Sequence, residues 1–310
     1  MTGSVETAGG AVYVLPEPME WRMQRTGGVP CDSFRLRCLF RAEMAEVLKD
    51  ACRFTAEEGG EVLLRGVVDG WSAELSGAGT VLTVEGRGMA ALLLDNEAEA
   101  VHYQRATLEE ILKDHAAVCG VRWETERGGQ SLAEYSVASG SSRWRAIEGF
   151  ARRCGLRPYF TREGVLRLRA EEEEKACRLG ALSGVLGAVY RDRRCGVVSE
   201  ITVVNRSLGL RRKVRNEAFI ARGGSCRRML YVPARSADEL RYTGEYQIEK
   251  SAEGARELTL TLAGRAEIEP GERVELTLSQ LGAAGVFRVS ELLHTISVRG
   301  ETTELTLWEV

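Results

Sequence analysis

The sequence is poor in the residues that most catalytic and metal sites require. Only three histidines occur in 310 residues, His102, His115 and His294, and they lie far apart. The eight cysteines (Cys31, Cys38, Cys52, Cys119, Cys154, Cys177, Cys195, Cys226) contain no CxxC pair, which excludes ribbon-type zinc sites and dithiol redox motifs. H-E-x-x-H, H-x-x-E-H and G-x-S-x-G are all absent. No catalytic residue, metal or cofactor is therefore expected. Long apolar runs are lacking too: the longest near the middle is Met89–Leu94, far short of a membrane span. The opening MTGSVETAGGAVYVL has neither a basic leader region nor an apolar stretch of signal length. The expectation is a soluble chain made in the cytosol, without a membrane anchor. Without a signal segment a disulfide framework is not expected, and the cysteines read as small core residues. A net charge of −3 gives no overall pull toward nucleic acid.

What is present is an ordinary globular composition, 44% hydrophobic and 28% charged, in a chain long enough for two or three domains. Ser33–Phe40 alternates with the two-residue period of a half-buried strand. Glu61–Val68 and Thr80–Glu85 do likewise, with Gly59-Gly60 and Gly77-Ala-Gly79 as turns. After Asp95 the character changes. Thr107-Leu-Glu-Glu110 is a capping box, followed by Leu108, Ile111, Leu112 and His115 on one helical face and Gly120 as a stop. A second helix starts near Ser141 or Ser142, carries Trp144, Ile147, Phe150, Ala151 and Cys154 as its apolar stripe, and ends at Gly155. A hairpin, Leu156–Phe160 and Val165–Arg169, follows. The four acids Glu171–Glu174 read as a solvated linker. From about Gly196 alternation returns in Leu258–Leu262, Val274–Leu278, Leu292–Val298 and Thr303–Trp308, which reads as a second all-β unit.

Gly86-Arg-Gly88-Met-Ala-Ala91 formally fits G-x-G-x-x-A. A dinucleotide fold needs a long crossover helix after that turn, and here the apolar stretch stops at Leu94, so the glycines read as a turn that needs small residues. Charge is distributed unevenly. Residues 191–230 hold eleven basic and three acidic residues, an excess of eight positive charges, whereas residues 231–310 hold eight basic and fourteen acidic. Arg191, Arg193, Arg194, Arg206, Arg211, Arg212, Lys213 and Arg215 are the candidate interface residues, able to meet an acidic block on another subunit or partner. The stretch lacks the interleaved aromatics that stack on nucleic-acid bases.

Three segments, taken in order, resemble the baseplate hub family of contractile phage tails, the late control protein D and Mu-like type. They are Leu82–Asp95, with its G-R turn and a short helix ending in Leu-x-Asp; Tyr135–Gly155 with the hairpin to Arg169; and Ile268–Glu275, a P-G strand entry. Gly88 stands where that family commonly has an acid. The resemblance implies a mainly β fold with a small α/β insert: two tube-like antiparallel β-barrel domains, 1–96 and 175–310, flanking an α/β domain of two helices and a hairpin at 97–174. A subdomain inserted around 206–250 is part of that expectation. It further implies a non-enzymatic homotrimer that joins a sixfold tail tube to a threefold central spike around a channel. Tape measure protein and baseplate wedge are further partners, and DNA passes only as cargo. The implied location is the virion tail baseplate, assembled in the host cytoplasm, in phages, prophages or tail-derived injection systems. The rival expectations are a cell-wall or glycan-binding module using Trp144 and Tyr159, and a tail-associated hydrolase. Helical spacing places Trp144 on the buried stripe, which favours packing over a binding platform.

Overall fold

A computed structural model describes residues 1–27, 32–125, 129–170, 176–178, 184–233 and 237–310. Cys31 and the run Glu171–Glu174 lie outside the described residues. The chain divides into two compact units. The first comprises Met1–Ala176, Leu262–Glu272 and Ser290–Glu304, and the second Cys177–Thr261, Arg273–Val289 and Leu305–Val310. Strand outweighs helix by 51% to 20%, so the fold is mainly β.

The first unit opens with β1 (Thr2–Thr7), β2 (Val12–Val14), β3 (Pro18–Thr26), β4 (Ser33–Leu39), α1 (Met44–Lys49), β5 (Ala51–Glu58), β6 (Glu61–Ser76) and β7 (Gly79–Gly88). The strands lie in the order β3-β4-β7-β6-β5-β1-β2, every neighbour antiparallel, and residues Glu291–Ile296 pair with the free side of β3. Alternation decides which face is inside. In β4, Phe34, Leu36 and Cys38 are buried while Arg35 and Leu39 are exposed. The register sets Trp21 opposite Leu36 and Met23 opposite Phe34. Phe34 stacks on Phe54 with centroids 3.9 Å apart, and Trp21 closes on Phe54 at 5.8 Å. Burial pushes the Cys38 thiol up to about 11, as befits a core cysteine. The expectation of core cysteines holds there but not at Cys195, which is exposed.

The same unit continues through α2 (Ala91–Leu94), β8 (Val101–Tyr103), β9 (Ala106–Thr107), α3 (Leu108–His115), β10 (Trp123–Glu124), β11 (Ser131–Leu132), β12 (Tyr135–Val137), α4 (Arg143–Arg153), β13 (Leu156–Phe160) and β14 (Leu166–Ala170). The capping box is formed: the Glu110 amide donates to Thr107 Oγ1 at 3.3 Å and the Thr107 amide donates to Glu110 Oε2 at 2.9 Å. A short 3-10 turn follows α3, and Gly120 ends it at φ +68°. Ser142 caps α4 by accepting from the Arg145 amide at 3.2 Å. Trp144, Ile147, Phe150 and Ala151 are buried, as their spacing requires. Tyr135 Oη donates to the Ala146 carbonyl at 2.5 Å, and a side chain at Gly149 would stand 2.8 Å from that hydroxyl. A glycine in mid-helix therefore makes room for a buried hydrogen bond.

His115 is buried, with Nε2 3.4 Å from the Tyr103 hydroxyl, which donates to Asp114 Oδ2 at 3.0 Å. Burial, helped by Arg143, lowers the imidazole pKa, while Asp114 opposes the shift. As pH falls through about 6.5 the unfolded chain takes up a proton that the folded chain refuses, so stability drops by up to about 1.4 kcal/mol per pH unit. Thermal melting between pH 7.5 and 5.5 checks this: wild type is expected to lose more than His115→Gln, and equal losses would remove His115 from the account.

The second unit contains β15 (Ala176–Arg178, begun in the first unit), β16 (Val185–Asp192), β17 (Glu200–Asn205), β18 (Leu210–Arg215), α5 (Glu217–Ala221), β19 (Arg227–Tyr231), α6 (Ala237–Ala252), β20 (Arg256–Ala263), β21 (Arg273–Leu278), β22 (Ala283–Ser297) and β23 (Gly300–Glu309). The unit boundaries fall inside β20, β22 and β23. Neighbours run β16-β20-β23-β22, with β21 paired to β22 and to β15. A separate sheet is ordered β18-β17-β19, antiparallel on one side of β17 and parallel on the other. Helix α6 covers one face of it through Val198, Ile201, Val203, Leu240 and Ile248. The all-β reading of the C-terminal third thus needs correction: α5 and the sixteen-residue α6 stand within it.

Candidate interface

The basic residues between 191 and 230 fall into two places. Arg191, on β16, donates to Glu257 Oε1 at 3.0 Å and Thr259 Oγ1 at 3.1 Å, and Arg193 reaches the same carboxylate at 3.3 Å. Arg194 lies 5.8 Å over the Phe219 ring and donates to the Arg222 carbonyl. These three are held by the chain's own groups.

Apart from Arg222, which caps α5 and donates to Asp192 at 2.5 Å, the others gather on the three-stranded sheet. Side chains alternate along a strand, so Arg211, Lys213 and Arg215 share one face of β18 and Arg212 takes the other, with Val203. The register gives three rungs on the first face: Arg215–Glu200–Arg227, Lys213–Thr202–Met229 and Arg211–Val204–Tyr231. Glu200 is nearly buried and accepts Lys213 at 3.0 Å and Arg215 at 3.1 Å, which holds its carboxyl below the usual range. Arg211 and Arg227 have no ion pair among the described residues. Arg206 sits 4.2 Å over the Tyr231 ring. Met229 and Tyr231 are 53% and 51% exposed, so this face, turned away from α6, is open, basic and partly apolar. Arg227, Met229 and Tyr231 were missed from sequence, although their alternation mirrors that of Arg211, Lys213 and Arg215.

Gly244 sets how closely α6 approaches the sheet. A Cβ there would stand 2.5 Å from Val214 Cγ2 and 3.4 Å from Ile201 Cγ2. Gly244→Val is expected to cost about 1–3 kcal/mol by overpacking. A melting temperature unchanged from wild type would contradict this packing.

The motif at residues 82–95 has a structural explanation. Asp69 is the extra residue where the β6–β7 register shifts between Val68 and Gly70. Arg87 forks onto it at 2.7 and 2.9 Å and onto Asp95, just past α2, at 2.9 and 2.7 Å. Asp95 is held below the ordinary carboxylate range by this pairing. The turn expected at Gly86–Gly88 is corrected: these residues lie in β7, where Gly86 pairs with Val68 and Gly88 with Gly66. Arg87 between them ties the bulge of β6 to the end of the short helix. At the third segment, Glu269 accepts Arg162 at 2.6 Å and pairs with the buried Arg25. Arg25 also lies 3.6 Å from Asp32, whose pKa burial raises against the pull of Arg25. Among the described residues no cluster of His, Cys, Asp or Glu is placed to hold a metal, and no helix is long and apolar enough to cross a membrane.

No protein-family model matches the chain, and no curated protein matches it. Solved structures do. The tail protein of Neisseria meningitidis MC58 superposes with a TM-score of 0.79 at 19% identity, covering 99% of this chain and 96% of its own. The 43 kDa tail protein of prophage MuSo2 from Shewanella oneidensis gives 0.79 at 16% identity, with 99% and 98% covered. The chain has the tail-protein fold. An Escherichia coli component of the type VI secretion system, described as structurally similar to T4 tail proteins gp27 and gp5, shares this fold at a TM-score of 0.56 and 11% identity, over 95% of this chain and 74% of its own.

Proposed function

We propose that the chain is a structural, non-enzymatic component of a contractile phage tail or phage-tail-like particle, and specifically its baseplate hub. The observation that carries this reading is the near end-to-end likeness to two tail proteins, 99% of this chain against 96% and 98% of theirs. In the proposed hub three copies form a ring whose two tube-like units per subunit, residues 1–96 and 175–310, match a sixfold tail tube on one side and a threefold spike on the other. The 97–174 segment decorates the ring, and DNA passes through its channel as cargo. Tail tube protein, central spike, tape measure protein and baseplate wedge are the proposed partners, at the virion baseplate after assembly in the host cytoplasm. A glycan-binding reading finds less support, because Trp144 is only 3% exposed. Negative-stain microscopy and native mass determination test the proposal. A three-subunit ring with a central opening is expected; a chain that stays monomeric at all concentrations, with and without tube and spike protein, would overturn it.

A further inference from the structure

The subdomain of β17, β18, β19 and α6 has two outer faces of opposite character. Its sheet face carries Arg206, Arg211, Lys213, Arg215 and Arg227, with Glu200 among them and Met229 and Tyr231 exposed between them. Glu217 reaches Arg215 from α5 at 3.6 Å. On α6 the residues that touch the sheet side are Leu240, Gly244 and Ile248. At 3.6 residues per turn, Asp238, Glu239, Tyr242, Tyr246, Glu249 and Lys250 then lie on the side turned away, with Glu245 at its flank. Asp238, Tyr242 and Glu249 are exposed, and Tyr242 is 61% so. Two basic residues bear on this strip: Arg241, at the flank, reaches Glu245 at 3.2 Å and Asp238 at 3.9 Å, and Lys250 pairs with Glu253 at 2.5 Å. Glu249 makes no ion pair among the described residues.

A layer that is basic on one outer face and acidic on the other fits a copy of itself in head-to-tail order. Repeated head-to-tail contacts close into a ring when the rotation from copy to copy closes and extend into a filament when it does not. We propose that the basic face of β17–β19 in one subunit docks on the acidic outer strip of α6 in the next. The inference rests on the trimeric reading above and names the contact within it. Two features favour a second copy over nucleic acid. The sheet face offers one exposed aromatic, Tyr231, with Arg206 over one side of its ring, rather than the row of stacking rings that single strands use. The complementary strip is also built into the same subdomain, with Tyr242 to meet Met229 by apolar contact. Reversing either face alone would set like charges against each other, while reversing both would recreate the match.

The experiment compares native mass of wild type with Arg211→Glu/Arg227→Glu, with Asp238→Lys/Glu249→Lys, and with all four changes in one chain. None of these residues supports a buried contact, and melting curves confirm that each variant folds. The expected result is trimer in wild type, at least a tenfold weaker assembly in each paired variant, and recovery in the fourfold variant. A trimeric wild type with paired variants that remain equally trimeric would overturn this contact and leave the hub reading standing. The same applies if those variants instead lose binding to single-stranded DNA. A wild type that never assembles would overturn both.

Discussion

Phe54→Ala is expected to destabilise the first unit by about 3–5 kcal/mol, the range for removing a large buried aromatic. The ring has no exposed surface, stacks on Phe34 at 3.9 Å and leans on Trp21 at 5.8 Å. These three residues come from β3, β4 and β5, so the cavity left behind would be lined by separate strands held in register by their own ladders. Such walls collapse poorly, which places the cost toward the upper end. Chemical denaturation followed by tryptophan fluorescence reads this directly, since Trp21 borders the site. A loss below about 1 kcal/mol, no more than an average point substitution, would mean that this stack is not the core of the sheet.

Gly86→Ala is expected to be nearly as damaging, for the opposite reason. A Cβ at Gly86 would overlap the Val67 carbonyl oxygen and stand 2.7 Å from the Phe34 ring. Across the same pair of strands a Cβ at Gly66 would overlap the Arg87 carbonyl. Two strands meet here backbone to backbone, and neither obstacle is a flexible chain end. The cost is expected to be about 3 kcal/mol, at the upper end for overpacking, or expression only as insoluble protein. Gly70→Ala is the control. It lies four residues from Gly66 on β6, has nothing within 4 Å of its would-be Cβ, and should change stability by no more than about 0.5 kcal/mol. Similar melting temperatures for the two variants would contradict the close crossing.

These glycines show what the sequence made legible and where it stopped. The resemblance at residues 82–95 could be recognised as a pattern, but its reason, a carbonyl pressed against Gly86 and an arginine shared by Asp69 and Asp95, needed partners eighteen or more residues away as well as near ones. The helices at Thr107 and Ser142 were legible because their caps and stripes are local signals. Helix α6 was not, because its buried face is only Leu240, Gly244 and Ile248, and the glycine makes the closest contact. A stripe with one side chain removed gives a weak period, and Thr243 beside Gly244 lowers helix propensity further. The basic cluster was half legible. Contiguity in sequence suggested one patch of eight residues, but a strand sends neighbours to opposite sides, so Arg212 parts from Arg211 and Lys213. Arg191 and Arg193 instead settle on Glu257.

The order of the chain bears on how it matures during synthesis. The first unit takes residues 262–272 and 290–304 from near the C-terminal end, and Glu291–Ile296 supply the neighbour of β3. At about 5–20 residues per second, the ribosome needs roughly 6–26 s after residue 176 to reach residue 304. Within that interval Arg25 has no Glu269 to meet until residue 269 is made, and β3 has an open edge until residues 291–296 are. The nascent first unit is therefore a sheet waiting for its last strand, and neighbouring ribosomes on one message would hold several such edges close together while each waits.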